Sequence, residues 1–472
     1  MAHMFFRQYY LECLSHASYL IGDESTGRAV VVDPQRDISQ YLDDAAEHGL
    51  AIERVIETHF HADFLSGHLE LAAATGAAIS YGEAAVGRAE FAIEPLTHGQ
   101  RLSLGEVVLE ARATPGHTPE SISIVVYEHV GAEPYGVLTG DTMFIGDVGR
   151  PDLLTSVGVS ADELAGQLYR SLHNELLTLP DATRVYPAHG AGSACGKNLS
   201  SETVSTIGEQ RRYNYALQPM SEQAFVEAVT EGQPAAPLYF AFSASRNMQV
   251  RPLLDEEAPP APMTLDEVLA AQAAGALVLD TRPAQEFSLG HLRNSVNVGL
   301  DGRFAEYAGD VIRPDQSVII VADQEAAGAE AKVRLARIGF DKVVGALQDP
   351  VAAFVARPDL VVPAARISAA ELAERRDSIE GLQIVDVRNE GEARLSGMVP
   401  GGRLVPLPRL LNRLQELDPK RPTVVHCAGG YRSAIAASVL RANGFADVSD
   451  LTGGFGAWIG ADQPVEPLSV NA

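Results

Sequence analysis

Histidine and aspartate residues follow several apolar, strand-like segments of this chain. Thr58–Asp63 reads THFHAD and comes directly after such a segment, and Thr114–Pro119, Thr139–Asp141 and Ala188–Gly190 each follow another one. Because strands that end at one edge of a sheet bring the following residues together, we expect these side chains to converge as a metal site requires. The candidate ligands are His59, His61, Asp63, His117, Asp141 and His189.

A second chemistry is indicated by Cys427, which follows the apolar segment Thr423–His426 and precedes a glycine-bearing loop and a helical pattern. Such a loop can direct its backbone N–H groups at the sulfur, and a helix N-terminus and an arginine favour a thiolate over a thiol. Cys427 is therefore a candidate nucleophile. Its expected catalytic partner is Arg432, and the expected substrate contacts are Gly429, Gly430 and Tyr431.

The segments that must position these residues fall into several domains. The first 250 or so residues alternate β segments with helical patterns, which is typical of a mixed α/β domain. Three acidic residues and three prolines between Leu253 and Pro262 indicate an extended linker. After it, LVLDTR at 277–282 recurs as QIVDVR at 383–388, so two similar domains with parallel sheets are expected. The predicted division is 1–252, a linker at 253–262, then 263–360 and 361–472.

Composition narrows the classes of function. A chain of 472 residues is long enough for about three domains, and it has no apolar stretch approaching the roughly 20 residues of a membrane span. A net charge of −26 argues against nucleic acid and anionic membrane partners. The three cysteines, Cys13, Cys195 and Cys427, are too far apart to form an evident disulfide framework. Without a visible export signal either, a cytoplasmic location is expected.

The N-terminal motifs resemble those of the metallo-β-lactamase superfamily over residues 4–250. The resemblance implies an αββα sandwich, with the metal at the loop edge between two sheets. In glyoxalase II-type hydrolases of this superfamily, the last histidine of the first motif helps to bind a second metal. That position is Phe64 here. A dinuclear centre is therefore disfavoured and a mononuclear one is expected.

With one metal, His59, His117 and Asp141 would form a two-histidine, one-carboxylate face, which leaves positions open for substrate and O₂. This combination resembles the persulfide dioxygenases, which oxidise the terminal sulfur of a low-molecular-weight thiol persulfide to sulfite. The resemblance implies mononuclear Fe(II) held by these three residues. Three further residues would then lie around these ligands without binding the metal, or would be remnants of a second metal site. They are His61, Asp63 and His189.

Two further residues near these motifs are candidates for substrate binding. Arg150 could bind the carboxylate of an anionic thiol carrier, or could instead form an ion pair with Asp152 or Asp147. Cys195 lies in a glycine-rich segment after the last histidine motif. That segment resembles the dioxygenases fused to tandem rhodanese-like domains, which implies a role in sulfur handling or redox control. The alternative for Cys195 is a small buried residue.

Residues 361–472 resemble a rhodanese, because Cys427 begins a six-residue Cys-x-x-Gly-x-Arg loop, whereas the related phosphatases use a longer loop. The resemblance implies that Cys427 carries sulfur as a persulfide. Residues 263–360 keep the same pattern without a cysteine. An ungapped alignment places Ala322 at the position of the nucleophile and Ala327 at that of the arginine, so we expect a degenerate domain that acts as a spacer or interface.

Together these observations predict a multidomain α/β enzyme that oxidises a thiol persulfide at Fe(II) and transfers sulfur through Cys427, making or using thiosulfate. The expected partners are the thiol persulfide, O₂, sulfite and thiosulfate, with a homo-oligomer, either a dimer or a tetramer, as the assembly. One alternative is a Zn-dependent thioester hydrolase of the glyoxalase II type with an appended sulfurtransferase. Another is a non-catalytic sulfur carrier or redox-sensing scaffold. Phe64 argues against the first, and an open ligand triad argues against the second.

Overall fold

This computed structural model describes residues 3–155 and 158–468. Internal contacts divide the chain into two units. Residues up to 233 belong to the first unit together with 240–254, and residues 234–239 belong to the second together with those from 255 onward. None of the helices in the described ranges combines the length and apolar character that a membrane crossing requires.

Two six-stranded mixed sheets form the centre of the first unit. In the first sheet the spatial order follows the chain, with antiparallel pairing at the start and parallel pairing from the third strand on. Its strands are β1 (Met4–Leu11), β2 (His16–Asp23), β3 (Arg28–Val32), β4 (Ala51–Ile56), β5 (Ala78–Gly82) and β6 (Glu94–Leu96). The second sheet contains, also in spatial order, β7 (Arg101–Ser103), β8 (Val108–Ala113), β9 (Ile122–Tyr127), β10 (Gly136–Gly140), β11 (Arg184–Pro187) and β12 (Ser205–Thr206).

The helices of this unit cover the outer faces of both sheets. They are α1 (Ser39–Glu47), α2 (His68–Thr75), α3 (Ala161–Ser171), α4 (Ile207–Tyr213), α5 (Glu222–Thr230) and α6 (Phe240–Asn247). In β2, Tyr19 and Ile21 join the core between the sheets, whereas Leu20 joins the core beneath α1. Successive residues of a strand point to opposite faces, so an apolar strand can serve two cores. On the second sheet, Val137 packs with α3 and α5 while Leu138 faces the central core. The predicted αββα sandwich is confirmed.

A buried ion-pair cluster closes one side of this sandwich. Glu70 of α2 accepts hydrogen bonds at Oε1 from Arg36 at 2.9 Å and from Arg251 at 2.6 Å. All three side chains are at most 3% exposed. Burial opposes the negative charge on Glu70, but Arg251 and Arg36 outweigh it and lower the pKa of Glu70 below its ordinary value. Removing one partner of such a buried pair costs far more free energy than breaking an exposed ion pair.

Glu70→Gln is therefore expected to lower the free energy of unfolding of the first unit by about 3 kcal/mol at pH 7. A carboxylate with a lowered pKa stabilises the fold above its unfolded-state pKa, and that contribution is lost as the pH falls through the folded pKa. The difference from wild type should therefore shrink below about pH 4.5, the ordinary value for glutamate. Calorimetric unfolding of both proteins at a series of pH values measures this difference in the free energy of unfolding.

Two matched measurements accompany this experiment. Glu53→Gln breaks the exposed pair with Arg28 and should change stability by less than about 1 kcal/mol. Trp458 is the chain's single tryptophan and lies in the second unit, so its fluorescence follows the unfolding of that unit. The unfolding transition measured in this way should be the same in Glu70→Gln as in the wild type. Equal effects of the two glutamate variants would contradict the assigned role of the buried cluster.

The second unit contains two five-stranded parallel sheets and one two-stranded pairing. Its strands are β13 (Pro262–Met263), β14 (Leu277–Asp280), β15 (His291–Leu292), β16 (Val296–Asn297), β17 (Val318–Val321), β18 (Val343–Leu347), β19 (Val361–Val362), β20 (Ala365–Ile367), β21 (Gln383–Asp386), β22 (Gly402–Leu404), β23 (Thr423–His426) and β24 (Val448–Leu451). The five-stranded sheets have the orders β13-β18-β17-β14-β16 and β20-β24-β23-β21-β22. The predicted parallel sheets are confirmed.

The helices of the second unit follow its strands, as parallel pairing requires. They are α7 (Leu265–Ala273), α8 (Ala284–Leu289), α9 (Phe304–Val311), α10 (Glu325–Ala336), α11 (Pro350–Ala356), α12 (Ala369–Arg375), α13 (Glu390–Ser396), α14 (Tyr431–Ala442) and α15 (Gly454–Gly460). Residues 255–261, between the last helix of the first unit and β13, lie in neither a helix nor a strand.

The two sheets of this unit repeat the same internal hydrogen bonds. After β14 and after β21, an arginine folds back onto the aspartate that ends the strand, with Nη2 to Oδ2 distances of 2.6 Å at Arg282 and 2.6 Å at Arg388. The backbone N–H of Thr281 donates to Val321 O, and that of Val387 donates to His426 O, both at 2.9 Å. These matched bonds align Val321 with His426, so Ala322 stands where the other repeat has its cysteine.

Candidate functional site

Three side chains from separate strand ends meet in the first unit. His59 follows β4, His117 follows β8 and Asp141 follows β10. Oδ2 of Asp141 lies 3.4 Å from Nε2 of His117 and 3.9 Å from Nε2 of His59. One ligand atom from each residue lies within 4.8 Å of the others, and all three residues are buried. This spacing suits a single metal ion.

The hydrogen bonds around the two histidines turn their Nε2 atoms toward that point. Nδ1 of His117 lies 2.9 Å from the carbonyl oxygen of Arg150 and can bond to it only as a donor. The Thr58 hydroxyl donates to Asp33 and lies 3.0 Å from Nδ1 of His59, from which it then accepts. Both rings therefore present an unprotonated Nε2, the form that binds a metal. Nε2 of His59 and Oδ2 of Asp141 are buried and have no hydrogen-bond partner within the described ranges.

The remaining oxygen of Asp141 is held by His189, which follows β11. Nδ1 of His189 lies 2.7 Å from Oδ1 of Asp141, and its Nε2 lies 2.6 Å from Oδ2 of Asp63. Burial opposes a charge on His189, but the two carboxylates outweigh it and raise the pKa of His189 well above its ordinary value. Asp63 and His189 thus contact each other directly at the position where a second ion would need both.

His61 lies beside the three-residue group but points away from it. Its Nε2 is 3.0 Å from Oδ1 of Asp33 and 3.3 Å from Oε2 of Glu57. Burial opposes the charge on His61, but Asp33 and Glu57 outweigh it and raise the pKa of His61 to about 10. Asp33 and Glu57 were missed by the sequence analysis. Asp33 could have been found, because it follows the apolar strand β3 in the same way that Asp141 follows β10.

Phe64 stands at the position where glyoxalase II-type hydrolases have a histidine for the second metal, and its ring fills that space. Its ring lies 3.9 Å from the ring of His16 and 4.3 Å from that of His61, centroid to centroid, and it is 2% exposed. His16 pairs with His189 across an isolated backbone bridge. Burial, followed by the nearby His189 and His61, lowers the pKa of His16 well below its ordinary value. Phe64 and the neutral His16 therefore add no charge of their own to this side of the site.

Arg150 is occupied by groups of its own domain. Its Nε and Nη2 each lie 2.7 Å from a carboxylate oxygen of Asp152, and its Nη1 donates to Ala194 O at 3.1 Å. The side chain is 3% exposed. Of the two interpretations of this arginine, the geometry matches the ion pair with Asp152. The residue before it, Gly149, lets the chain approach Asp141, whose carbonyl oxygen would lie only 2.0 Å from a Cβ there.

Cys195 lies near the metal-binding group on the side of Asp63 and His189. Its Sγ is within 4.8 Å of a ligand atom of each, and the residue is 1% exposed. Burial, followed by the charges of Asp63 and Asp141, raises the pKa of Cys195 well above its ordinary value. The neutral thiol form is therefore favoured here, unlike the environment of a reactive cysteine.

Cys427 stands at the end of β23, at the start of the loop that leads into α14. The backbone N–H of Gly430 donates to its Sγ at 3.1 Å, and Sγ lies 3.6 Å from the Ser433 hydroxyl. Gly430 adopts a φ of +103°, and a Cβ there would lie 3.2 Å from the backbone nitrogen of Gly453. The predicted loop and helix therefore surround the sulfur with N–H and hydroxyl groups.

The other predicted residues of this loop have partners outside it. Arg432 forms two hydrogen bonds, of 2.7 and 2.8 Å, with the carboxylate of Glu392 in α13. The Tyr431 hydroxyl donates to backbone carbonyls of the preceding repeat, Gly299 O at 2.7 Å and Asp301 O at 3.0 Å. Glu392 was missed, because its contact depends on the register of β21 beside β23.

The preceding repeat has no group that could carry sulfur at the matching position. The loop after β17 begins with Ala322, which is followed by Asp323 and Gln324. A cavity of about 220 Å³ remains beside it. Its lining residues are Thr281, Arg282, Pro283, Gly299, Leu300, Asp301, Asp323, Gln324 and Ala327. Ala327 stands in the first turns of α10, so no arginine enters this cavity from the helix.

Family models match most of the described chain. Residues 11–189 match the metallo-beta-lactamase superfamily, and residues 264–356 and 368–461 each match the rhodanese-like domain. The solved metallo-beta-lactamase from Staphylococcus aureus subsp. aureus COL is 34% identical, with a TM-score of 0.65. The match covers 73% of this chain and 99% of that one.

Curated relatives match the first half of the chain. The mitochondrial persulfide dioxygenase ETHE1 of Bos taurus is 31% identical over 236 residues, which are 49% of this chain and 83% of that protein. The Homo sapiens protein of the same name is 30% identical with the same coverage. The cytoplasmic hydroxyacylglutathione hydrolase of Arabidopsis thaliana is 33% identical over 183 residues, which are 38% of this chain and 66% of that protein.

Proposed function

Since this chain belongs to the persulfide dioxygenase family of the metallo-β-lactamase superfamily and carries two rhodanese-like domains, we propose that it oxidises a thiol persulfide and transfers sulfur. Residues 1–252 carry the oxidation and residues 361–472 the transfer. Residues 263–360, after the linker at 253–262, carry neither reaction. The observation that carries the proposal is the buried group of His59, His117 and Asp141, in which Nε2 of His59 and Oδ2 of Asp141 have no hydrogen-bond partner within the described residues.

The donor set suits Fe(II). Two imidazoles and one carboxylate on one side of an ion match the facial arrangement of non-haem iron oxygenases, and His61 is held away by Asp33 and Glu57. When bound there, Fe(II) supplies open coordination positions for O₂ and for the persulfide sulfur. The overall reaction is RSSH + O₂ + H₂O → RSH + SO₃²⁻ + 2H⁺.

The surrounding residues orient the side chains of the site and select the tautomer of its histidines. The Arg150 carbonyl and the Thr58 hydroxyl hold the protons of His117 and His59 on Nδ1. His189 donates to Oδ1 of Asp141 and leaves Oδ2 for the metal. The contact between Asp63 and His189 and the apolar ring of Phe64 favour one metal over two. Cys195, beside these residues, lies close enough to contact a bound persulfide.

Cys427 performs the second reaction. Its thiolate takes the terminal sulfur of a persulfide, RSSH + Cys427–S⁻ → RSH + Cys427–S–S⁻. Sulfite then accepts that sulfur, Cys427–S–S⁻ + SO₃²⁻ → Cys427–S⁻ + S₂O₃²⁻, and the reverse steps use thiosulfate instead. The N–H of Gly430 donates to the sulfur that carries the charge. Having both reactions on one chain raises the local concentration of the shared sulfite.

The test compares two substrate classes on wild-type protein loaded anaerobically with Fe(II). Glutathione persulfide should consume one O₂ for each sulfur oxidised, whereas a glutathione thioester should not be hydrolysed. Metal content, O₂ uptake and released sulfite and thiosulfate are measured together. Bound zinc with thioester hydrolysis and no O₂ uptake would replace this proposal with the glyoxalase II-type hydrolase. Turnover of neither substrate would indicate the sulfur-carrier scaffold.

The assembly and location are part of the proposal. We retain a homo-oligomer, either a dimer or a tetramer, and a cytoplasmic location. Light scattering after size-exclusion chromatography and cell fractionation test these two points.

A further inference from the structure

We infer that the cysteine-less repeat positions the Cys427 loop, by holding the hydroxyl of Tyr431 on the backbone of residues 299–302. This inference rests on the proposed sulfur transfer at Cys427. It assigns a task to a domain that cannot itself carry sulfur, and it identifies Tyr431 and Arg334 as positioning residues.

The first step is the contact between the two repeats at Tyr431. Its hydroxyl has one hydrogen, which is shared between Gly299 O at 2.7 Å and Asp301 O at 3.0 Å. The ring of Tyr307 lies edge-on to the ring of Tyr431, with centroids 5.3 Å apart. The side chain is therefore fixed both at its polar end and along its apolar ring.

The accepting segment, residues 299–302, is itself held within its own repeat. The Arg334 guanidinium donates to Leu300 O and to Gly302 O, the latter at 2.5 Å. The backbone N–H of Leu300 donates to Thr281 O at 3.0 Å. Arg334 lies in α10, the helix that follows the degenerate loop, and its side chain is 9% exposed. Hydrogen bonds within the repeat therefore hold this segment in place, although the loop beside it has no nucleophile.

A second contact holds the same helix farther along. The N–H of Asn297 donates to the Ser438 hydroxyl at 2.9 Å. Ser438 lies two turns after Tyr431 in α14, so both residues stand on one face of that helix. The helix therefore rests against the preceding repeat at two points, and Tyr431 is the one next to the sulfur.

The last step connects Tyr431 to Cys427. Gly430 precedes Tyr431 directly and donates its N–H to Sγ of Cys427 at 3.1 Å. A displacement of Tyr431 moves this donor, because the two residues share a peptide bond. Neither Gly299 nor Asp301 contacts the sulfur, so the preceding repeat acts through the loop and not on the reacting atoms.

Tyr431→Phe in the full chain tests the inference, since it removes the hydroxyl and keeps the ring. Thiosulfate-to-cyanide sulfur transfer should show a kcat about fivefold lower, the factor that one ordinary hydrogen bond corresponds to, with KM unchanged. Hydrogen exchange of the peptide that covers residues 427–433 should become about fivefold faster by the same argument. Persulfide-dependent O₂ uptake should stay at the wild-type rate.

Ser438→Ala is the matched control, because it breaks a different hydrogen bond between α14 and the preceding repeat. It should lower the melting temperature and leave both the transfer rate and the exchange at 427–433 at wild-type values. Unchanged exchange in Tyr431→Phe, or equal losses of transfer in both variants, would overturn the inference. If the wild type transfers no sulfur but exchange still rises in Tyr431→Phe, the proposed function fails and the positioning role stands.

Discussion

Replacing His117 with alanine is expected to lower persulfide-dependent O₂ uptake by at least about 100-fold, because residues that only support a metal ligand are already worth about 10- to 100-fold and His117 is itself a candidate ligand. In the proposed site His117 would supply one of three ligand atoms, and its Nδ1 is already committed to the Arg150 carbonyl. Alanine removes the ligand without adding a group that could replace it. Iron content and O₂ uptake with glutathione persulfide are the measurements.

His129→Ala is the control for this variant, since His129 is exposed and its ring nitrogen bonds to the neighbouring Val130 carbonyl, outside the group of His59, His117 and Asp141. It should keep full iron content and full uptake. Sulfur transfer from thiosulfate should be unaffected in both variants. O₂ uptake that survives in His117→Ala with normal iron content would mean that the metal lies elsewhere.

Replacing Cys427 with serine is expected to lower sulfur transfer by more than about 1,000-fold, the scale on which loss of a covalent nucleophile acts. An alkoxide cannot carry sulfane sulfur as a persulfide does, although serine fits the space beside Gly430 and Ser433. Oxidation of added persulfide should continue within about twofold, because Cys427 does not belong to the group of His59, His117 and Asp141. The product should shift from thiosulfate toward sulfite, which ion chromatography measures.

Cys13→Ser controls for the loss of a thiol from another part of the chain. Cys13 is partly buried and lies outside the cysteine loop, and its replacement should leave transfer intact. The division of labour between the two sites would be wrong if Cys427→Ser also stopped sulfite production.

The convergence of the three candidate ligands was easier to predict from the sequence than the contacts around them. His59, His117 and Asp141 each follow a strand, and the topology of a sheet brings strand ends together whatever the rest of the chain does. The direction in which His61 points was not predictable. It depends on Asp33 and Glu57, which directly follow the neighbouring strands β3 and β4 and contact it only once those strands pair.

The arginines show the same limit. A guanidinium suits a substrate carboxylate and a protein carboxylate equally well, so the residue type of Arg150 could not decide between a ligand and Asp152. Arg432 contacts Glu392, which is 40 positions earlier in the chain. The equivalence of Ala322 and Cys427, in contrast, follows from an ungapped alignment, because β17 and β23 have the same length and so do α10 and α14.

The buried cluster around Glu70 also fixes where the first unit can be cut. Arg251 contacts Glu70, the Pro252 carbonyl accepts from Arg36, and the Leu254 N–H donates to Glu70. Arg251, Pro252 and Leu254 come after α6, the last helix of the unit, yet their contacts complete the interior of the unit. A fragment designed to carry the dioxygenase unit alone therefore has to include every residue through Leu254. In a chimera of the two halves of the chain, the junction has to lie after Leu254. A fragment that ends with α6 would lose these contacts to Glu70 and Arg36.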